Sequence, residues 1–198
     1  EVFIDGENLR GLSREERAKK MAGVAQRFYA VDDFPVLDYL LFGTANKMNF
    51  YQSPKEEDKK RVLDCAKQFG ITHLLDKKLG EISGGERQIV SICASIVQDT
   101  NLVILDEPTS ALDIKNQHAV LSIIKKIAKE QGKTFILSSH NPNHALYLSS
   151  NVFLLRNGTI VIQGQAEDII NIEELKTVYG EDICYSVELP YKEISFMD

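Results

Sequence analysis

The chain has 198 residues, of which 43% are hydrophobic and 26% charged, and its formal net charge is −6. This composition is that of one well-buried domain, or of a core domain with a smaller lobe. The acidic balance argues against a general surface for nucleic acid or anionic lipid, because neither polyanion is attracted to a negative field. No apolar run approaches the roughly 20 residues that span a bilayer, and the first residues do not resemble a secretory signal.

The three cysteines, Cys65, Cys93 and Cys184, lie far apart and lack the spacing of a metal site. We interpret them as small apolar residues of a protein from a reducing compartment.

Strand patterns and helical patterns alternate along the first half of the chain. Ser13 and Glu16 are spaced as a capping box, in which each side chain binds a backbone amide of the other at a helix start. Between Pro35 and Ser83 no strand pattern is convincing, so this region predicts a helical lobe, with an exposed loop over residues 43–54. The predicted elements are strands over residues 2–4 and 23–26, and helices over 13–21, 35–42 and 55–69.

A continuous apolar run, Leu102–Leu105, is followed directly by Asp106 and Glu107. This pattern is typical of a strand buried on both faces that delivers two carboxylates to its carboxyl end. A second strand over residues 134–139 should deliver His140 to the same edge, where sheets of this class place their chemistry. We therefore predict that two acids and an imidazole lie together.

Two interpretations of the acids remain open from the residues alone. They are either solvated acids at a strand end, in a turn that Pro108 enforces, or they divide the work of phosphoryl transfer. Neighbouring strand residues face opposite sides, so one carboxylate could face Mg²⁺ and the other a water. Asp106 suits the metal and Glu107 the water.

Residues 83–86, Ser-Gly-Gly-Glu, also have two interpretations. Ser83 and Glu86 fit a capping box and could simply begin a helix. The two glycines argue against a plain cap, since each costs about 1 kcal/mol relative to Ala in a helix. Their alternative use is to let backbone amides approach an anion at the positive end of the helix dipole.

The second half of the chain continues with helices and one clear hairpin. Ser110 or Asp113 should cap a long helix that Gly132 ends. Asn157-Gly158 is the strongest hairpin signal in the sequence. The predicted elements are a helix through residue 131, helices over 143–148, 167–170 and 172–179, and strands over 151–156, 159–163 and 183–189.

Five segments resemble, in order and spacing, the ATP-binding-cassette ATPases: Gln26, residues 82–86, 102–108 and 110–113, and His140. In that family they are the Q-loop, the signature, the Walker B strand, the D-loop and the switch histidine. The resemblance covers nearly the whole chain. It implies an α/β, P-loop NTPase-like core with a mixed sheet, in a single domain over residues 1–198. A helical subdomain over 35–98 would be inserted between core segments 1–34 and 99–198.

The resemblance also implies ATP and Mg²⁺ as cofactors, and a role for each matched residue. Gln26 would sense the phosphate and border the surface that docks a membrane partner. The implied roles are Mg²⁺ binding by Asp106 and Gln26, activation of water by Glu107, contact with the terminal phosphate by His140, and contact with a second subunit's nucleotide by Ser83, Gly84, Gly85, Glu86 and Asp113.

The chain departs from the family pattern because it contains no Gly-x-x-x-x-Gly-Lys-Ser/Thr loop, whose amides and lysine hold the phosphates. We expect that an amino-terminal piece with this loop is missing from the 198 residues. Ile82 and Glu86 replace the Leu and Gln usual in the family, and we expect both to be tolerated.

Residues 5–9, Asn157-Gly158 and residues 178–180 look like ATPase subunits of importers for iron-siderophore, haem, cobalamin and related metal chelates. This resemblance implies a cytoplasmic subunit, peripheral on the inner face of the membrane. Its partners would be a second copy in an ATP sandwich, two transmembrane permease subunits and an extracytoplasmic substrate-binding protein, without nucleic acid.

The alternative is a non-hydrolysing cassette that serves as a partner or regulatory module. A cassette of the DNA-repair type is disfavoured, because the region between Gln26 and Ser83 leaves no room for a long coiled coil.

Overall fold

The computed structural model describes residues 1–26, 32–47, 53–148, 150–180, 183–188 and 191–196. The chain divides into two units, Glu1–Ser138 and Ser139–Asp198, and each has its own cluster of buried apolar side chains. Within these described ranges, no helix is both long and apolar enough to cross a membrane.

The first unit opens with a hairpin and a capped helix. Strands β1 (Phe3–Ile4) and β2 (Glu7–Asn8) are joined by Asp5-Gly6, whose φ angles of 51° and 79° suit a tight hairpin turn. Helix α1 (Arg14–Lys20) begins after Ser13, whose Oγ accepts the Glu16 amide at 3.2 Å. The Glu16 carboxylate accepts the Ser13 amide at 2.7 Å, so the predicted capping box is confirmed.

The remaining elements of this unit alternate between one parallel sheet and the helices that cover it. In chain order they are β3 (Met21–Val24), α2 (Val36–Phe42), α3 (Glu56–Gln68), α4 (Gly84–Val97), β4 (Leu102–Leu105), α5 (Ile114–Gln131) and β5 (Thr134–Leu137).

The central strand of the sheet is β4, which confirms the strand predicted over this apolar run. The order is β3-β4-β5, all parallel, with Met21 opposite Leu102 and Leu102 opposite Thr134. This pairing makes β3 begin and end two residues earlier than predicted, so Gln26 follows the strand instead of ending it. Strand β5 likewise ends at Leu137, two residues before its predicted end.

Helices α2 and α3 confirm the predicted helices, but the predicted exposed loop after α2 is partly wrong. Residues 43–47 form a 3-10 helix, and Thr44 within it is fully buried. A Cβ on Gly43 would stand 2.7 Å from the Ala94 carbonyl oxygen, so only glycine allows this close approach to α4. The rest of the predicted loop includes residues 48–52, which lie outside the described residues.

Helix α4 is the centre of the core of the first unit. All ten of its residues from Gln88 to Val97 are buried, which is typical of a helix surrounded by protein. Its apolar side chains, those of α2 and α3 and those of the sheet form one cluster. The boundaries 35–98 for a helical subdomain stay a prediction.

Two thiols that are distant in sequence meet inside this cluster. Cys65 of α3 and Cys93 of α4 are both free, with their Sγ atoms 2.8 Å apart. Burial raises the pKa of the Cys93 thiol well above its ordinary value, and the Cys65 thiol beside it acts in the same direction. These two cysteines fit the predicted use as small core residues.

Two amide side chains bind the same backbone carbonyl near the end of α1. Asn46 Nδ2 and Gln98 Nε2 donate to the Ala18 oxygen at 3.0 and 2.8 Å. Gln98 Nε2 also donates to the Met21 oxygen at 3.2 Å, and Asn46 Nδ2 to the Gln98 oxygen at 3.1 Å. These hydrogen bonds thus connect the end of α1, the 3-10 helix and the end of α4.

The second unit is built on antiparallel hairpins and short helices. Asn157-Gly158, with φ angles of 51° and 76°, joins the first hairpin as predicted. A bulge between Leu154 and Leu155 interrupts its register. The elements are α6 (Pro142–Leu148), β6 (Asn151–Arg156), β7 (Thr159–Gln165), α7 (Ala166–Ile169), α8 (Ile172–Tyr179), β8 (Ile183–Glu188) and β9 (Tyr191–Phe196).

Strand β9 was not predicted. It pairs with β8 antiparallel, with Ile183 opposite Phe196 and Glu188 opposite Tyr191. The predicted final strand is confirmed through Glu188, and its last residue, Leu189, lies outside the described residues.

Candidate functional site

The start of α4 carries the capping box that one of the two interpretations predicts. Ser83 Oγ accepts the Glu86 amide at 3.2 Å, and its hydroxyl donates to the Glu86 carboxylate at 2.8 Å. The Ser83 amide donates to the same carboxylate at 2.8 Å. These bonds lower the pKa of Glu86, the backbone bond more than the hydroxyl bond. A carboxylate therefore already stands at the positive end of this helix, where the other interpretation places a phosphate.

The two glycines at this helix start have different surroundings. A Cβ on Gly84 would meet no atom within 4 Å, whereas one on Gly85 would stand 3.1 Å from the Ala111 carbonyl oxygen. Gly85 thus lets the helix start pack closely against residues 110–113. One of the two interpretations had both glycines let amides approach an anion, and neither interpretation predicted this packing.

The two acids follow β4, and a pair of serines fixes the backbone of the second. Asp106 is exposed, while Glu107 is half-buried with a φ of 49°, which is unusual for a residue other than glycine. Its amide donates to Ser138 Oγ at 2.9 Å, and its carbonyl accepts both the amide and the hydroxyl of Ser110, at 3.2 and 3.0 Å. These bonds hold Glu107 in a conformation that costs of order 1–3 kcal/mol.

Ser138 also joins the two acids. Its hydroxyl donates to Asp106 Oδ1 at 2.5 Å while its oxygen accepts from the Glu107 amide. The residue lies just after β5, so the carboxyl ends of two neighbouring strands meet here. The sequence analysis missed Ser138, because a single serine at a strand end carries no specific signal.

Gln26 and Asp113 flank these acids on the first unit. The Asp106 amide donates to the Val24 carbonyl at 2.9 Å, so Gln26, two residues after β3, follows the strand beside the acids. Asp113 is the cap of α5, since its Oδ1 accepts the Asn116 amide at 2.8 Å. Of the two predicted caps, Asp113 is therefore the correct one and Ser110 binds Glu107 instead.

His140 belongs to the second unit, where it is exposed and its carbonyl accepts the Tyr179 hydroxyl at 3.2 Å. The structure thus brings Asp106 and Glu107 together through Ser138. That His140 lies beside the two acids stays a prediction.

The side-chain oxygens at this edge could supply a few ligands to a magnesium ion whose other ligands come from phosphate and water. Within the described part of the chain, no group of three or more His, Cys, Asp and Glu side chains could hold a metal. Mg²⁺ is usually bound through one or two carboxylates, with waters and substrate phosphates as its other ligands. Asp106, exposed at a strand end beside a hydroxyl, is such a carboxylate, and Gln26 could add an amide oxygen.

Residues 1–110, more than half of the chain, match the sequence profile described as ABC transporter. The chain belongs to the ABC transporter family. An uncharacterized ABC transporter ATP-binding protein of Haemophilus influenzae is 35% identical over 179 residues, which are 90% of this chain and 68% of that protein. The ferric enterobactin transport ATP-binding protein FepC of Escherichia coli is 31% identical over 90% of this chain and 66% of its own length. The chain spans about two thirds of these relatives.

Solved structures of ABC proteins share the fold. A metal-chelate type ABC transporter in an inward-facing conformation has a TM-score of 0.80 and 27% identity, over 90% of this chain and 72% of that chain. The ATP-binding cassette MJ0796, a dimer with ADP and Pi in a post-hydrolysis state, has a TM-score of 0.74 and 25% identity, over 83% and 72%. The predicted ABC ATPase fold, of mixed α/β type, and the predicted membership of this ATPase family are confirmed.

One tripeptide of this ABC protein, Gly132-Lys133-Thr134, has the last three residues of a phosphate loop but a different use. The glycine that such a loop requires five residues earlier is Ile127. Gly132, with a φ of 65°, ends α5, and Lys133 Nζ donates to Asp99 Oδ1 and the Thr100 carbonyl at 2.8 and 2.9 Å. The tripeptide leads into β5, whose first residue is Thr134, at the opposite end of the strand from the acids.

Replacing Ser138 by Ala is expected to destabilise the ABC chain by about 1–3 kcal/mol, because the Glu107 amide loses its acceptor and Asp106 loses a donor. Urea unfolding of the 198-residue chain measures this change. Ser138→Thr keeps the hydroxyl and should remain within about 1 kcal/mol of the parent. Equal losses in both variants would show that the hydroxyl is not what stabilises this edge.

The capping box of the signature is expected to stabilise the chain in a pH-dependent way. The folded state lowers the pKa of Glu86, so its carboxylate contributes fully above the ordinary glutamate pKa. The contribution is lost as the pH falls through the lowered value. Carboxyl NMR titration should show this midpoint below the ordinary one. Ser83→Ala keeps the backbone bond and removes the hydroxyl bond, so it should move the midpoint only part of the way back up. A midpoint unchanged by Ser83→Ala would contradict the contribution assigned to the hydroxyl.

Proposed function

We propose that this chain is the ATP-hydrolysing part of a subunit that powers import of a metal chelate. The observation that carries the proposal is the edge formed by Asp106, Glu107 and Ser138 in a chain of the ABC family. Two neighbouring carboxylates, one exposed and one half-buried, suit a metal and a water. The cargo class is supported by the relative named for ferric enterobactin transport.

In this proposal each residue acts on a bound Mg-ATP. The metal, when bound, neutralises phosphate charge. Asp106 and Gln26 supply oxygen ligands to it, and Glu107 orients the attacking water and accepts its proton. The bonds from Ser110 and Ser138 hold the backbone of Glu107 in one conformation, which restricts the directions that its carboxylate can take before the water binds. His140 donates to the terminal phosphate.

The same proposal makes the protein a two-fold dimer with ATP in the interface. The α4 start, with Ser83, Gly84, Gly85 and Glu86, and the α5 cap, Asp113, would contact the nucleotide of the other subunit. Ser83, Gly84 and Asp113 are exposed, and Gly85 packs against the residues before Asp113, so these two segments form one surface. The dimeric MJ0796 structure supports this assembly.

A cleft in the first unit supports the proposal of a permease partner. Its volume is about 1300 Å³, and the exposed apolar side chains there include Phe42, which is 73% exposed. Tyr39 lines this cleft, and its burial raises the pKa of its hydroxyl. A hydrogen bond with Ser91 acts in the opposite direction and has the smaller effect. A short helix of a transmembrane subunit, about 10–12 Å across, is a partner of suitable size. The subunit would then work at the cytoplasmic face of a membrane. Lining residues include Arg14, Ala18, Phe34, Phe42, Ala94 and Gln98.

Hydrolysis tests the proposal most directly. The 198-residue chain alone is expected to show no magnesium-dependent ATP turnover, since it contains no phosphate loop in the required frame. An extended form, in which a segment with a phosphate loop precedes Glu1, is expected to hydrolyse ATP with magnesium. Turnover by the 198-residue chain itself would contradict the first expectation.

Nucleotide binding without turnover in the extended form would contradict the proposed function and favour the non-hydrolysing partner module. The cargo is tested separately, by uptake of ferric enterobactin in cells whose FepC is replaced by the extended form. Hydrolysis without uptake would refute this cargo and leave the ATPase assignment intact.

A further inference from the structure

Hydrogen bonds from outside the predicted set of site residues hold the loop around His140. His144, in the first turn of α6, places Nδ1 2.9 Å from Ser139 Oγ and Nε2 3.4 Å from Asn141 Nδ2. Ser139 and Asn141 are the neighbours of His140 in the chain. One imidazole therefore bridges the residues on both sides of His140.

Two bonds within the loop decide which ring nitrogen of His144 carries the proton. The Asn143 amide donates to Asn141 Oδ1 at 3.0 Å, so the atom of Asn141 that faces His144 is its amide nitrogen, which only donates. Nε2 of His144 must then accept, and the proton of the neutral ring lies on Nδ1. From there it reaches Ser139 Oγ, which also accepts the Asn141 amide at 3.1 Å.

A third contact fixes the backbone of His140 itself. The Tyr179 hydroxyl, at the end of α8, donates to the His140 carbonyl at 3.2 Å. The loop is thus held by α6 from its flanks and by α8 at its centre, and all of these residues lie in the second unit.

We propose that His144, as its neutral Nδ1–H tautomer, is a positioning residue for His140, with Tyr179 as the backbone anchor. His144 presents a donor to the residue before His140 and an acceptor to the residue after it, which no aliphatic side chain can do. The hydrogen-bond network is independent of the proposed function. The effect of this positioning on ATP hydrolysis rests on the proposed role of His140.

Nitrogen NMR of the 198-residue chain tests the network directly. The chain has four histidines, whose ring signals are assigned by replacing each in turn with Gln. His144 is expected to show the Nδ1–H pattern, and Ser139→Ala should shift it toward the Nε2–H form. An Nε2–H pattern for His144 in the unaltered chain would overturn the proposal.

Variants at position 144 separate positioning from packing. His144→Ala is expected to change the ring signals of His140 and to speed hydrogen exchange at the Asn141 amide by about two- to tenfold, the effect of losing one hydrogen bond. His144→Asn places an amide donor close to the position of Nδ1 and should restore slow exchange. His118→Ala, at an exposed position of α5, is the matched control and should leave His140 unchanged. If Asn disturbs the loop as much as Ala, or Ala leaves His140 unchanged, the proposal is wrong.

Activity of the extended form then tests the consequence. His144→Ala should lower kcat by about two- to tenfold at unchanged KM, because the proposed contact of His140 is disturbed while the proposed contacts of Asp106 and Gln26 with Mg-ATP remain. An unchanged kcat would overturn the positioning role. Absence of all hydrolysis in the unaltered extended form would instead refute the proposed function, while the NMR results would still decide the network.

Discussion

Glu107→Gln in the extended form is expected to lower kcat for ATP by about 10²–10⁴-fold, the usual contribution of a general base. Gln keeps the size of the side chain and leaves the backbone bonds to Ser138 and Ser110 in place. It removes only the ability to accept a proton from the attacking water. ATP binding should persist and the closed dimer should accumulate, which turnover assays and size-exclusion chromatography with ATP measure.

Glu130→Gln is the matched control for this loss of one carboxylate, because Glu130 is an exposed acid near the end of α5. It should retain full turnover. If Glu107→Gln hydrolysed ATP at the parental rate, Glu107 would have been given the wrong role and the water would have to be activated elsewhere.

Ser83→Arg is expected to weaken the nucleotide-dependent dimer by about 2–4 kcal/mol, the size of a hot-spot loss. Ser83 is exposed at the start of α4, so the larger side chain would not disturb the core but would fill the space proposed for the partner's nucleotide. The dimer dissociation constant with ATP, measured by analytical ultracentrifugation of the extended form, reports the effect.

Ser13→Arg provides the control, because Ser13 caps α1 through the same box geometry and is also exposed. Both variants lose a cap of about 1 kcal/mol, but only Ser83→Arg should affect dimerisation. A normal nucleotide-dependent dimer of Ser83→Arg would refute the proposed contact.

The elements that the sequence predicted best are those specified by residues close together in the chain. Ser13 with Glu16 and Ser83 with Glu86 form their boxes within one turn, and Asn157-Gly158 sets its hairpin by the φ values of two residues. The strand over residues 102–105 followed from the apolar run before Asp106. In each case the residues next to one another in the sequence were sufficient to predict the element.

The predictions that failed depend on partners distant in sequence. The limits of β3 are decided by pairing with Leu102–Leu105, about 80 residues away. Thr44 is polar, and only its packing in the fold makes it buried. Ser138 matters because the fold places it in contact with Asp106 and the Glu107 amide, which lie 32 and 31 residues before it in the sequence. The sequence around each of these residues contains no signal of its partner.

The Ala18 carbonyl, which accepts both Asn46 and Gln98, has a mechanical consequence. Two amide side chains donate to this one oxygen and so connect the end of α1 to the end of α4. The two helix ends therefore cannot be displaced independently. Gln98 also binds the first residue of β3, so a force applied to the helices is passed to the strand that precedes Gln26. A movement of these helices would therefore also move the edge of the sheet that carries the acids.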